Sequence, residues 1–309
     1  MKDLIILGNG MAGMTAALYA SRANLDFKLV GRDEYDFGQI SNAILVENFP
    51  CIEPMSGFDL AMKLHDQLEA NGIEIEEHEI TRVSKQLGKS ITKGHVPIFY
   101  KIEYADGTYD EAKAVIYALG ARYRELNCKI EEGIPIHYCA LCDGALYKDK
   151  TVAIIGGGDV AFTQAEYLSK ICKDVSIIMC DSNITAATAT YERIKKIKNV
   201  YIHFDCPVLG VSSREDKYDI ITSGENFYGI DGIFVAIGMI PNTTPIDIYG
   251  VVNKDGYITA IDSGISALNP GFFAAGDVRT KMTRQALTAA SDGANAVQSA
   301  IKYLKELNK

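Results

Sequence analysis

Two stretches decide the fold: Leu4-Ile5-Ile6-Leu7-Gly8-Asn9-Gly10-Met11-Ala12-Gly13 and Thr151-Val152-Ala153-Ile154-Ile155-Gly156-Gly157-Gly158-Asp159-Val160-Ala161. Each runs a short aliphatic strand into a glycine turn and then into a helical stretch, Met14 to Ala23 in the first copy and through about Ile171 in the second. Continuous apolar strands of this kind belong to parallel sheets covered by helices on both faces. A second strand comes after each helix, Phe27 to Val30 and Val175 to Met179. The glycine spacing has a physical reading. The first glycine permits the tight turn, the second lets backbone approach a pyrophosphate, and the third, or Ala161 in its place, lets helix pack on strand. The helix N-terminus then offers N–H donors and partial positive charge to phosphates. Asn9 and Met11 stand where a small residue and a proline are more usual, and neither side chain need block the cradle. A packing turn without ligand is the alternative reading of either loop. Two loops point to two dinucleotides, or to one and a degenerate site.

Working outward, Ile73 to Ile80, Ile98 to Tyr104 and Val115 to Leu119 read as strands belonging with the first copy, and Asp106-Gly107 as a hairpin turn. Tyr201 to Phe204, Tyr218 to Thr222 and Gly232 to Ile237 read as strands belonging with the second. Pro241 breaks the chain, and Gly271-Phe272-Phe273-Ala274-Ala275-Gly276-Asp277 carries another buried strand to a glycine turn. A closing helix spans about Gln285 to Leu307. The fold class is therefore α/β, with two Rossmann-like dinucleotide-binding domains, the second inserted into the first. The expected boundaries are 1–117, 118–240 and 241–309.

The 309 residues are 48% hydrophobic and 23% charged, the balance of a globular protein with room for two cores. No apolar run reaches the roughly 18 residues that a membrane span needs, and the N-terminus lacks the features of a secretory signal. A net charge of −9 argues against nucleic acid as a partner. The seven cysteines are an odd count with no export signal, so a disulfide framework is not expected and a reduced, cytoplasmic setting is. Cys51, Cys128, Cys172, Cys180 and Cys206 are scattered and read as buried or inert thiols. Cys139-Ala140-Leu141-Cys142 is different. With no second CxxC and no clustered histidine, no metal site is expected; a redox-active pair is.

These features together resemble the low-molecular-weight thioredoxin reductase family of bacteria and archaea, along essentially the whole chain. Gly8, Gly10, Met11, Ala12 and Gly13 match its FAD-pyrophosphate loop. Gly38-Gln39 and Glu47-Asn48-Phe49-Pro50 match its flavin-contacting segments, and Ala118-Leu119-Gly120-Ala121 its ATGA segment, with Leu119 in place of threonine. Tyr138 to Gly144 match the redox motif, and Ala236-Ile237-Gly238 with Pro241-Asn242 the end of the inserted domain. Gly276, Asp277, Arg284, Gln285 and Ala286 fall in the segments that hold the ribityl chain and ring.

The resemblance implies an FAD-dependent thioredoxin-disulfide reductase, usually a homodimer, with a thioredoxin or thioredoxin-like protein as partner. It assigns Cys142 to the flavin and Cys139 to attack on the partner's disulfide, and makes Asp143 an acid for the proton. An ordinary turn aspartate is the other reading of Asp143. His137 can tune the thiolate, though a structural role is the simpler reading. The family also rotates one domain on the other, with hinges expected near Gly120–Arg122 and Gly238–Thr244.

The second loop, Gly156, Gly157, Gly158, Asp159 and Val160, is intact, and the departure from the family comes at the end of the next strand. Members that use NADPH carry His-Arg-Arg-x-x-x-Arg there, and its arginines grip the 2′-phosphate. Here that segment reads Met179-Cys180-Asp181-Ser182-Asn183-Ile184-Thr185. Asp181 repels a 2′-phosphate but accepts from a ribose 2′-hydroxyl. NADPH is therefore disfavoured; NADH, or a carrier such as ferredoxin, is the expected donor. A flavin-dependent dithiol oxidase using oxygen is the alternative, because such relatives also lack the arginines. The family's flavin-linked ferredoxin reductases lack the cysteine pair, which counts against them here, and a non-catalytic scaffold has no reason to keep it.

Overall fold

The computed structural model describes residues 1–43, 45–88, 97–261, 264 and 269–307. The chain divides into two compact units, Met1–Arg122 with Ile240–Lys309, and Tyr123–Met239. The sequence expectation set the inserted segment at 118–240; in the structure it starts five residues later and ends one earlier.

The first unit opens with β1 (Lys2–Leu7), α1 (Met11–Arg22), β2 (Phe27–Gly31), α2 (Gly57–Glu69), β3 (Ile75–Glu77), β4 (Ile80–Leu87), β5 (Ile98–Tyr104) and β6 (Tyr109–Tyr117). After β7 (Ala121–Tyr123), the second unit runs through β8 (Lys129–Ile130), β9 (Ile136–His137), α3 (Ala140–Asp143), β10 (Thr151–Ile155), α4 (Asp159–Leu168) and β11 (Asp174–Ile178). It continues with α5 (Thr188–Ile194), β12 (Val200–His203), β13 (Val208–Arg214), β14 (Lys217–Thr222), β15 (Phe227–Ile230) and β16 (Gly232–Val235). Past β17 (Met239–Pro241), the chain completes the first unit with β18 (Ile246–Asp247), β19 (Phe272–Ala274) and α6 (Ala286–Leu307).

In the first unit the sheet order is β18-β4-β5-β6-β1-β2-β3, with β19 also paired to β6. The strands β3, β2, β1, β6 and β19 are mutually parallel, and β4–β5–β6 form an antiparallel meander. Ile73–Ile80, expected as one strand, is two. Ile75–Glu77 pairs with β2, whereas Ile80 onward pairs with β5, because the chain changes partner at His78–Glu79. The Asp106-Gly107 turn is present, with Gly107 at φ +85° and the Asp106 carboxylate accepting from the Thr108 N–H at 2.8 Å. α1 and α6 cover one face, so close that a Cβ on Gly293 would lie 2.1 Å from the Ala12 carbonyl oxygen. The other face buries Tyr100, Tyr117 and Phe272.

In the second unit a fully parallel sheet, β12-β11-β10-β16-β9, lies beside a four-stranded sheet, β15-β14-β13-β8. One face of the parallel sheet packs Phe162, Leu168 and Phe234; the other packs Ile155, Ile178 and Val235 with Ile220 and Phe227 of the second sheet. Pro241, expected as a chain break, ends β17, where a short strand tolerates its missing N–H. Among the described residues no helix is long and apolar enough to cross a membrane.

Candidate active site

Cys139 and Cys142 form a disulfide, with Cα atoms 5.3 Å apart. Cys139 caps α3 in extended conformation, and its carbonyl accepts from the N–H groups of Cys142 and Asp143 at 3.1 and 3.0 Å. A single helical turn thus brings residues three apart to one face. Both cysteines are half-buried, and Leu141 between them is exposed. Two contacts fix the approach to this turn: Tyr138 stacks on Tyr123 at 4.5 Å, and Gln164 of α4 donates to the Tyr138 carbonyl at 3.0 Å. Gly144 comes next, packed close to the Leu168 side chain, whose terminal methyl would lie 2.9 Å from a Cβ there.

Asp143, the residue after Cys142, is buried. Its Oδ2 lies 3.0 Å from His137 Nδ1, and His137 Nε2 lies 2.6 Å from the Tyr147 hydroxyl. Asp143 Oδ1 is buried with no hydrogen-bond partner. The sequence singles out the aspartate but does not join His137 to it, or Tyr147 to His137, because His137 lies six residues upstream on a separate strand and the tyrosine is reached only through it.

The first glycine loop sits at the carboxyl ends of β1, β6 and β19. Gly8 has φ +106°, and a Cβ there would lie 2.5 Å from the Ala118 carbonyl oxygen; on Gly13 it would lie 1.7 Å from that of Gly8. Gly10 caps α1 with no side-chain hydrogen bond, so Met11, Ala12 and Gly13 start the helix at a bare N-terminus. Asn9 is buried and turned away, donating to the Asp33 and Glu34 carbonyls at 2.8 and 3.3 Å across Gly31. Around the loop, Gln39 donates to the Ala121 carbonyl at 2.7 Å, and Asn48 donates to the Gln285 side chain at 3.0 Å. Gly120 at φ +64° accepts from the Asn242 N–H. Gly276 at φ +77° turns the chain after β19; its N–H donates to Asp292, which also holds Arg279 and Lys281 at 3.0 and 2.8 Å. That buried trio left no sequence signal. Asp277 comes next, with Oδ1 buried and unpartnered, and burial pushes its carboxyl up against the pull of Lys281 and Arg284. Arg284 lies over the Tyr257 ring at 4.4 Å, one residue before Gln285 and two before Ala286, the start of α6.

The second loop repeats the geometry at β10. Gly156 has φ +146°, with the Ala236 carbonyl oxygen 2.4 Å from a would-be Cβ, and Gly158 caps α4 bare. Val160 is exposed. The segment after β11 folds over this loop. Thr185 donates through both its N–H and its hydroxyl to the Gly157 carbonyl at 3.3 Å, and Asp159 accepts from the Ala187 N–H at 2.7 Å. Asp181 is exposed beside the loop, but its Oδ1 already accepts from the Asn183 N–H at 2.8 Å.

The scattered cysteines are mixed. Cys172 and Cys206 are buried, and burial pushes the Cys172 thiol up to about 11. Cys51 and Cys180 are exposed, so for them only the inert half of the expectation is open. Burial and the adjacent Asp181 carboxylate raise the Cys180 thiol, which disfavours its thiolate. Glu34, His65 and Glu69 each bring one potential ligand atom within 4.8 Å of the others. The His65–Glu34 contact at 3.2 Å and the single-turn spacing on α2 account for that grouping.

Residues 2–293 match the model of the pyridine nucleotide-disulphide oxidoreductase family. The chain belongs to this family. It is 34% identical over 316 residues to the thioredoxin reductase of Bacillus subtilis, covering 99% of this chain and 96% of that one. It is 37% identical over 311 residues to a 34.2 kDa protein in the rubredoxin operon of Clostridium pasteurianum, covering 98% and 97%. The crystal structure of thioredoxin reductase from Streptococcus pyogenes superposes with a TM-score of 0.85 at 31% identity, covering 99% of both chains. Within the family the chain falls with the low-molecular-weight thioredoxin reductases.

FAD and a nicotinamide dinucleotide are the groups this family implies. The first loop fits a dinucleotide: its N–H groups are bare, a Cβ would fill its turn, and Asp277 holds out an unpartnered buried oxygen of the kind a hydroxyl satisfies. The second loop fits a pyrophosphate at α4 in the same way. Its flank, Cys180 to Thr185, carries no cation for a 2′-phosphate.

Proposed function

We propose that the protein is an FAD-dependent thioredoxin-disulfide reductase, and that its electrons come from NADH or a non-nicotinamide carrier such as ferredoxin in preference to NADPH. The observation that carries the reaction is the Cys139–Cys142 disulfide on one turn of helix, followed directly in the chain by buried Asp143. FAD, when bound at the first loop, supplies two electrons to a disulfide. Breaking the S–S bond leaves two sulfur anions. One takes a proton, for which Asp143 is the nearest acid in sequence; the other, on Cys139, is the nucleophile. Cys139 attacks the partner's disulfide and forms a mixed disulfide, and the partner's second sulfur leaves as a thiolate. Cys142, having passed its proton back, then attacks the Cys139 sulfur, which re-forms the pair and releases the partner's first sulfur as a thiolate; water protonates both partner sulfurs to the dithiol. Exposed Leu141 gives a large partner apolar surface beside the sulfurs.

The donor preference rests on the strap after β11. No guanidinium stands there to pair with a 2′-phosphate, and Asp181 opposes one. The test is anaerobic flavin reduction by NADPH, NADH and reduced ferredoxin in parallel. NADH or ferredoxin is expected to outrun NADPH; rapid saturation at low NADPH overturns this part. Oxygen consumption with a dithiol and no nucleotide, at a rate matching thioredoxin reduction, makes the protein an oxidase instead.

A further inference from the structure

The most enclosed polar group of the second unit lies outside the thiol chemistry just described. His137 ends β9, next to Phe234 of β16, and is 3% exposed. Its ring is packed at 5.2 Å against both Phe234 and Tyr147. Every polar atom of this imidazole is engaged, and in an order that fixes its protons. Burial pushes the Tyr147 hydroxyl up to about 12, so it stays protonated and donates to Nε2 at 2.6 Å. Nε2 is then the acceptor, the ring proton sits on Nδ1, and Nδ1–H donates to Asp143 Oδ2 at 3.0 Å. Tyr147 is held in turn by Gly232 of β16: any Cβ at that position would lie 2.3 Å from the ring.

The chain of bonds stops at Asp143. Its Oδ2 is committed to His137, whereas Oδ1 is buried and unpartnered. A buried carboxylate oxygen left bare is costly, and a proton or a proton donor relieves it. The residue before it is Cys142. We propose that His137 is a positioning residue for the disulfide chemistry: locked in one tautomer by Tyr147, it commits Asp143 Oδ2 and leaves Oδ1 as the oxygen that exchanges a proton with the cysteine pair.

The balance is simple. The S–S bond breaks with two electrons, and Asp143 Oδ1–H gives its proton to one sulfur, which becomes a thiol. The carboxylate left behind is stabilised by the His137 Nδ1–H, and the other sulfur remains a thiolate for the partner's disulfide. As Cys142 attacks the Cys139 sulfur and the pair re-forms, its thiol proton returns to Oδ1, and the two thiolates of the departing partner take their two protons from water. Other charged groups near this network are Asp231, paired with Lys217 at 2.6 Å, and Lys150, whose ammonium lies 5.6 Å over the Tyr147 ring; Tyr218 and Asp231 both act on the Tyr147 hydroxyl.

This inference rests on the disulfide reductase reading, so its test needs a readout that does without a protein substrate. Purified protein, stripped of FAD, is equilibrated with mixtures of oxidised and reduced dithiothreitol across the pH range, as wild type, His137→Phe, His137→Asn and Tyr147→Phe. His137→Phe loses the donor to the carboxylate. At neutral pH and a fixed dithiothreitol ratio its pair is expected to be about tenfold more oxidised than wild type, the scale of a hydrogen bond to a charged group. His137→Asn keeps an amide donor and is expected to recover much of the shift. Tyr147→Phe removes only the hydroxyl and is expected to shift the pair in the same direction, by less. In the FAD-loaded enzyme the alkaline limb of kcat for His137→Phe moves to higher pH, because the bond favouring the carboxylate is gone, and KM for the partner stays put.

A folded His137→Phe protein with wild-type equilibrium and wild-type limbs overturns the proposal. If that variant does not fold, an unshifted Tyr147→Phe overturns it. A wild-type enzyme that reduces no protein disulfide overturns the functional reading, and the dithiothreitol equilibrium still decides the role of His137.

Discussion

At Gly13 the tolerance is set by backbone: a methyl would sit 1.7 Å from the Gly8 carbonyl oxygen, and no flexible side chain can yield. Gly13→Ala is expected to cost about 3 kcal/mol in urea unfolding, the upper end of overpacking, and to release FAD on gel filtration. Asp277 offers a test by pH. Burial raises its folded pKa above the unfolded value, so its stabilising contribution is full below the ordinary carboxylate range and is lost as pH rises through the folded value. In FAD-free protein, Asp277→Asn is therefore expected to raise Tm near neutral pH, an advantage that fades below about pH 4, while FAD retention drops. Thermal melts at both pH values, with and without FAD, check the sign. Both residues stand out in the sequence, because glycine spacing and an acidic turn are local patterns. The engagement of Asp181 with Asn183, and of Asn9 with the Asp33 and Glu34 carbonyls, does not, because one depends on loop conformation and the other on a contact 24 residues away.

Elements are legible where they repeat a local rule. β10 runs Thr151–Ile155 as its apolar run indicates, since a buried strand advertises itself by composition; β5 also runs as expected, Ile98–Tyr104, though Lys101 and Glu103 interrupt it and only alternate residues from Tyr100 are buried. α1 begins at Met11, three residues before the expected start, because the bare turn of the loop is already helix. α2 escapes the pattern although Ser56 caps it, its hydroxyl accepting from the Asp59 N–H at 3.0 Å. β14 is legible as Tyr218 to Thr222, whereas β13 and β15 are not, although Val211, Phe227 and Ile230 are buried, because Gly210, Ser212, Ser213 and Gly229 interrupt their apolar runs. The tie between α6 and the Gly276 turn is long-range and polar, so periodicity cannot reveal it. Asp292 on α6 holds Arg279, Lys281 and the Gly276 N–H, with Arg279 3% and Lys281 6% exposed at the side chain. Asp292→Asn leaves two buried cations without their anion, and chemical denaturation is expected to show a loss of about 3–5 kcal/mol. A loss below about 1 kcal/mol contradicts that role for Asp292 in the α6 tie.

On the scale of the whole molecule, the duplicated strand–glycine–helix unit reveals two dinucleotide folds, and the chain order of the motifs reveals that one interrupts the other. Which residue of each loop is bound to what is a matter of contacts between distant segments, and no reading of spacing supplies those. The chemistry turns on the cysteine pair. The direct measurement is a single anaerobic turnover: FAD-loaded protein is reduced with dithionite, freed of excess reductant, and mixed with oxidised thioredoxin, and the thioredoxin thiols formed per chain are counted. Wild type is expected to yield one thioredoxin dithiol per chain at least, and Cys142→Ser to yield no released dithiol, only thioredoxin trapped on Cys139. A full yield of free thioredoxin dithiol from Cys142→Ser, or none from the wild type, contradicts the central claim.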